Sequence, residues 1–195
     1  MDPVKHSTAP DDEPLFDPDV LKKLDFSQHS SKLNPSISVM DPGPSLLVRP
    51  LYSSDYNKGI LELLGQLTQV GYVDQETFLK RFTAMKKCSG TYYVIVIEDT
   101  TINKVVGAAT LVVEQKFVHD SGLRGLLEDV VINDNYRGKQ LGKLIVITVC
   151  LLAEHIGCYK ITLNCKDKLI PFYQSLDFAF EPDQSNSCMT IRFSK

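Results

Sequence analysis

No stretch of this 195-residue chain is long and apolar enough to cross a bilayer. The longest strongly apolar run, residues 144–153, is interrupted by Thr148, and a spanning helix needs roughly 20 apolar residues. A transmembrane segment is therefore excluded. The opening Met1-Asp2-Pro3-Val4 has neither a basic lead nor an apolar core, so no secretory signal is expected. Cysteine is sparse and unpatterned: Cys88, Cys150, Cys158, Cys165 and Cys188 form no C-x-x-C pair and no disulfide framework. They read as free thiols in a reducing, cytoplasmic setting. The four histidines are dispersed and no Cys/His spacing suits zinc, so no metal is expected. A large excess of one charge is missing too. The net charge is −3, of which residues 1–30 carry −4, leaving the rest at +1. That near-neutral body argues against a nucleic-acid surface while leaving room for a local basic pocket.

Proline nearly vanishes after residue 50, because eight of the ten lie before that point. Proline fixes φ and lacks a backbone donor, so the first segment cannot supply long helices or central strands. Residues 1–44 read as a largely extended arm, with one helical turn over 19–24 behind Asp17-Pro18. Residues 45–195 then read as one α/β domain, of a size that builds its own core. A strand over 46–51 precedes a helix from Ser54 or Asp55 to about Leu67. After the turn 71–74 comes a helix with Phe78, Phe82 and Met85 on one side, Lys86 and Lys87 in its last turn and Gly90 as its stop. Strands 92–97 and 105–113 flank a hairpin-sized loop, 98–104. A loop around Asp120-Ser121-Gly122 precedes strand 126–132. Helix 140–156, apolar nearly all round and so buried on most sides, comes next. Strand 160–165, a short helix 169–176 and a last strand 189–193 complete a mixed sheet.

The informative stretch runs from Glu128 to Lys143. A strand ends, the chain turns, and a basic, glycine-containing segment opens a buried helix. Unpaired N–H groups at a helix start, added to the dipole, suit an anion such as a pyrophosphate. Arg137, Lys139 and Lys143 add charge, and Gly138 and Gly142 allow close approach. The spacing is neither a P-loop nor G-x-G-x-x-G. By spacing alone, an ordinary loop with solvated lysines fits equally well.

Arg137-Gly138-Lys139-Gln140-Leu141-Gly142 resembles motif A of the GCN5-related N-acetyltransferases, R/Q-x-x-G-x-G/A, with Gln140 replacing one glycine. Lys116-Phe117-Val118-His119, Glu128-Asp129-Val130, Gly157-Cys158-Tyr159-Lys160-Ile161 and Phe172-Tyr173 are similar, in order and spacing, to the glucosamine 6-phosphate N-acetyltransferases. So are Phe16-Asp17-Pro18 and Ile191-Arg192-Phe193, and the likeness covers the chain from about Pro14 onward.

The resemblance implies the GNAT (acyl-CoA N-acyltransferase) fold: a mixed, mostly antiparallel sheet splayed at its central parallel strands, with helices on both faces. It implies that acetyl-CoA lies between strands 126–132 and 160–165. The pantetheine arm would pair with the backbone of Val130, Val131 and Ile132. The pyrophosphate would sit on Arg137, Gly138, Lys139, Gln140, Leu141, Gly142 and Lys143. The amine of D-glucosamine 6-phosphate would attack the thioester directly, giving N-acetyl-D-glucosamine 6-phosphate on the way to UDP-N-acetylglucosamine. A backbone N–H at Val130 would hold the oxyanion. Tyr173 would hydrogen-bond the departing sulfur, although a core aromatic beside Phe172 is the plainer reading of that residue alone. The Asn164 carbonyl would orient the amine; related sequences carry an acid there, which a backbone role tolerates. Lys116, Phe117, Val118, His119, Tyr159, Lys160 and Arg192 would bind the acceptor, Arg192 with a fork suited to phosphate. Glu128, Asp129 and Val130 would meet the sugar, and both acids reach one ligand only at a twist or bulge. A homodimer that shares its active sites is also implied. Two alternatives stand beside this reading: a GNAT enzyme for a protein or polyamine amine, and an acyl-CoA-binding module without turnover.

Overall fold

The computed structural model describes residues 12–180 and Ile191. The expected strand 189–193 lies outside the described residues except for Ile191, and so does Arg192. Five strands form the sheet in chain order: β1 (Leu46–Pro50), β2 (Tyr92–Asp99), β3 (Lys104–Gln115), β4 (Leu123–Ile132) and β5 (Cys158–Leu163). The first four are antiparallel neighbours, and β4 and β5 run parallel. That connection is made by α5 (Leu141–His155), a crossover that parallel strands require.

Strand β2 shows why the sheet is buried on both faces. Val94, Ile95, Val96 and Ile97 are all buried, with alternate side chains entering different cores. On one face α5 packs against Ile95, Ile97, Ala109 and Leu111. Nine of its residues are buried, as the all-round apolar run predicts. The Thr148 hydroxyl inside it donates to the Leu144 carbonyl at 2.8 Å, so it adds no unmet donor. The other face carries α2 (Ile60–Gly65) and α3 (Gln75–Lys87), which bury Ile60, Leu63, Phe78 and Phe82. Asp74 caps α3 by accepting from the Thr77 amide at 2.8 Å.

Several boundaries differ from expectation. The helix expected from Ser54 or Asp55 to Leu67 is two elements, a 3-10 turn over Ser53–Lys58 and then α2. Gly59 separates them with φ 81°, a left-handed conformation that glycine adopts without steric cost. Strands β2 and β3 extend the pairing into the 98–104 loop, since Asp99 still opposes Lys104. Strand β4 begins at Leu123, after a single turn, α4 (Val118–Ser121), in which His119 and Asp120 are left-handed. Strand β5 starts and stops two residues early, which puts Asn164 and Cys165 just past its end.

The described part of the arm holds α1 (Asp19–Lys22) and a 3-10 turn over Ser27–Lys32. It also contributes to both cores: Leu15 packs on the α2–α3 side, Leu21, Leu33 and Val39 on the α5 side. Its first residues run along the β1 end, where the Leu15 amide donates to the Leu51 carbonyl at 2.8 Å.

A buried ionic cluster ties β1 to β2. Arg49 donates to both Asp55 carboxylate oxygens, at 2.8 and 2.7 Å, and to Glu98 at 2.8 Å, while Lys58 reaches Glu98 at 2.9 Å. Burial opposes ionisation of Glu98, but hydrogen bonds from Lys58 and Arg49 outweigh it and hold its carboxyl below the ordinary value. Its contribution to stability is therefore full above that value and fades as the pH falls through the depressed one. Asp55 is wholly buried. Asp55→Ala should cost about 3–5 kcal/mol by removing one of the two carboxylates that hold the buried Arg49 charge, and Arg49→Met added to it should recover part of the loss; urea unfolding of both variants measures this.

Candidate active site

Strand β4 keeps its partner on one side and loses it on the other. Its pairing with β5 runs from Leu123↔Cys158 to Leu127↔Leu163 and ends there, while its pairing with β3 continues to Ile132↔Gly107. From Glu128 onward one edge of β4 is thus free of the neighbouring strand, and Val130, Val131 and Ile132 line the resulting notch. Backbone donors and acceptors on such an edge hydrogen-bond whatever extended ligand enters.

A bulge sits at the start of the notch. Thr110 faces Glu128 and Ala108 faces Val131, so two residues of β4 stand against one of β3. Asp129 takes the extra place at φ 53°, a left-handed conformation that costs a non-glycine residue about 1 kcal/mol. The bulge leaves Glu128 and Asp129 both exposed, which regular alternation within a covered sheet would not do. Partial desolvation of this otherwise exposed carboxyl first, then the Asp129 charge, raises the Glu128 pKa above the ordinary value.

Tyr173, in the short helix α6 (Ile170–Gln174), is largely buried, with edge-on contacts to Phe172 at 5.0 Å and Phe178 at 5.8 Å. Its pKa is raised by burial first and then by Cys165 and Glu128. The phenol therefore stays protonated at neutral pH. Asn164 stands between β5 and that helix.

The turn into α5 joins an uncapped helix start to three cationic side chains. After the 3-10 turn Asp134–Tyr136, the chain passes Arg137, left-handed Gly138 and left-handed Gln140 before α5 begins at Leu141. The helix N-terminus carries no side-chain cap, so its first amides remain available. Three remote groups hold the turn. The Gln66 side chain accepts from the Asp134 amide at 3.1 Å, and Asp99 accepts from the Tyr136 hydroxyl at 2.5 Å. Gln140 binds the arm at Asn34, its Oε1 accepting from the Asn34 amide at 3.1 Å and its Nε2 donating to the Asn34 carbonyl. Of the cations, Arg137 pairs with Asp134 at 2.5 Å, Lys139 lies over the Tyr136 ring at 4.6 Å, and Lys143 donates to the Lys32 carbonyl at 3.2 Å.

The expected acceptor residues separate into two groups. Glu114 opposes Arg124, and Arg124 opposes Lys160, so the three share a rung. Four residues on from Arg124, Glu128 lies on the same face. Lys116 reaches Glu114 at 2.8 Å, Arg124 lies 3.6 Å from it, and Arg124 also donates to Thr162 at 2.9 Å. The Lys116 hydrogen bond is the main reason the Glu114 pKa is lowered. Tyr159 takes the extra place in β5 where the register shifts, Leu123 opposing Cys158 and Arg124 opposing Lys160. The His119 ring stacks on Tyr159 with centroids 4.3 Å apart. Beside that pair Phe117 is fully exposed and Val118 is 61% exposed.

A model of the Acetyltransferase (GNAT) family matches residues 57–178. A Drosophila melanogaster protein named probable glucosamine 6-phosphate N-acetyltransferase is 57% identical over 182 residues, 93% of this chain and 82% of that one. The chain belongs to the GNAT family, in its glucosamine 6-phosphate N-acetyltransferase branch. A Dictyostelium discoideum glucosamine 6-phosphate N-acetyltransferase is 41% identical over 141 residues, covering 72% of this chain and 88% of its own. The crystal structure of the Arabidopsis thaliana glucosamine-6-phosphate N-acetyltransferase superposes with a TM-score of 0.68 at 34% identity, over 74% of this chain and 99% of that one. The expected GNAT fold, with a notch between parallel strands and helices on both faces, is what the structure contains.

Sequence reasoning passed over Arg124, Gln66, Asp99 and Asn34. Arg124 carried a signal, as the one basic residue of the strand Leu123–Ile132, while the other three act on the turn from far along the chain. The Glu128 environment gives a direct check. Asp129→Asn should bring the Glu128 titration midpoint down toward the ordinary value, followed by carboxyl-carbon NMR; an unmoved midpoint would leave burial as the whole cause.

Proposed function

We propose that this protein transfers the acetyl group of acetyl-CoA to the amine of D-glucosamine 6-phosphate in a ternary complex in the cytoplasm. The product, N-acetyl-D-glucosamine 6-phosphate, feeds UDP-N-acetylglucosamine synthesis. The observation that carries the reading is the free edge of β4 from Glu128 to Ile132, ending in an uncapped helix start flanked by Arg137, Lys139 and Lys143. A long ligand with an amide-bearing arm and a pyrophosphate end fits that run of backbone groups. Acetyl-CoA supplies an activated acyl thioester there. The backbone amide of Val130 holds the negative charge that develops on the attacked carbonyl oxygen. Tyr173, kept protonated by its surroundings, donates to the departing sulfur. The Asn164 carbonyl orients the attacking amine, which must be neutral. Glu128 and Asp129 hold the amino sugar at the bulge. Lys116, Lys160 and Arg124 form the cationic end of the same face, and Arg192 from the terminal segment adds a phosphate fork.

The exposed cluster of Phe117, Val118 and Tyr159 supports a homodimer in which a second copy covers these side chains and completes the sugar site with His119. Steady-state assays test the whole reading. Glucosamine 6-phosphate should be acetylated far faster than free glucosamine, a polyamine or a lysine peptide; equal rates with and without the phosphate would overturn the acceptor assignment. Tyr173→Phe should lower kcat on the order of 100-fold with both substrates still bound, and full turnover in that variant would remove the phenol from the mechanism. Phe117→Asp should shift the protein to monomers in sedimentation, with loss of activity.

A further inference from the structure

The arm contacts the anion-binding turn at the residue where this chain departs from the motif. Gln140 occupies a left-handed position at φ 61°, which glycine would fill without strain. Its side chain grips both backbone groups of Asn34. One turn along α5, the Lys143 ammonium donates to the Lys32 carbonyl at 3.2 Å. The Lys32 ammonium is itself ion-paired with Asp177, just after α6, and its side chain is only 19% exposed. Between these anchors Leu33 is buried in the α5-side core. Residues 32–34 therefore bridge the start of α5 to the end of the helix that bears Tyr173.

We propose that this arm segment is a latch that fixes the pyrophosphate turn in its binding conformation, with Gln140 and Lys32 as positioning residues for acetyl-CoA. The inference rests on the placement of the pyrophosphate on Arg137–Lys143. A turn with two left-handed residues around Lys139 samples many arrangements when released. Clasping Gln140 and the Lys143 ammonium from outside reduces them to one, and the ligand then loses less freedom on binding. The coupling is reciprocal: if the latched arm favours the ligand, the ligand favours the latched arm. The glutamine side chain thus gives the position a purpose that a glycine cannot serve.

The test uses the full chain with CoA as the probe. Calorimetry on wild type, Gln140→Gly, Lys32→Ala and the double variant should show CoA binding weakened about tenfold by each single change. The double variant should be little worse than either single one, because both release the same segment. Gln140→Gly relieves backbone strain, so weaker binding in it is not a folding defect. Lys32→Ala lies outside the turn, and its KM for acetyl-CoA should rise while kcat holds. Amide hydrogen exchange separates the latch from the reading beneath it. CoA should slow exchange at residues 138–143 and also at Asn34. Protection of the turn without Asn34, with Lys32→Ala binding CoA as wild type does, overturns the latch alone; protection of neither overturns the pyrophosphate placement as well.

Discussion

A β-strand whose neighbour departs halfway along it must satisfy its peptide groups with something else, and that constraint organises this molecule. Strand β4 is paired on both sides through Leu127 and on one side afterwards. The cost of unmet backbone groups is considerable in a protein interior and negligible in an open notch that water or a ligand fills. The departure of β5 is sustained by the segments that lead out of the two strands: the turn over 134–140 and α5 after β4, and the Tyr173 helix after β5. Both helices pack on the same core, so the notch is held open by the hydrophobic interior rather than by loops.

The chemistry depends in turn on where the bulge falls. Placing Asp129 in a left-handed conformation brings two acids to the mouth of the notch, one of them with a raised pKa. On the same face the sheet continues outward to Glu114, Arg124 and Lys160 on a single rung. In the proposed complex, the amine end of the amino sugar would face the two acids and its phosphate would face the cations of that rung.

Much of this was legible in the residues. The all-round apolar run over 144–153 marked the crossover helix, and the consecutive acids Glu128-Asp129 called for a twist or a bulge if both were to meet one ligand. Motif A and its companions led to the fold. Local patterns failed where two signals competed: Gly59 inside a helical periodicity ended one element and began another, and the β-rich stretch 158–165 gave no boundary sharp enough to fix β5. They failed completely where the decisive partner is remote. Arg49 meets Glu98 across 49 positions, and Asn34 meets Gln140 across 106. No periodicity encodes such pairs, because they exist only once the sheet has brought the elements together.

The proline-rich beginning also has an effect at the sheet's outer margin. Beside the end of β1, the Pro14–Tyr52 bridge, the Leu15–Leu51 hydrogen bond and the bond from the Ser53 amide to the Glu13 carbonyl occupy backbone groups that an edge would otherwise present. A bare margin of that kind is a template for strand addition by another molecule. Proline at position 14, which offers no amide hydrogen, also stops the added segment from becoming a template in its turn. The segment that looks least like structure is thus what keeps this margin from recruiting foreign strands, and shortening the chain past Leu15 would favour aggregation even with every reacting group intact.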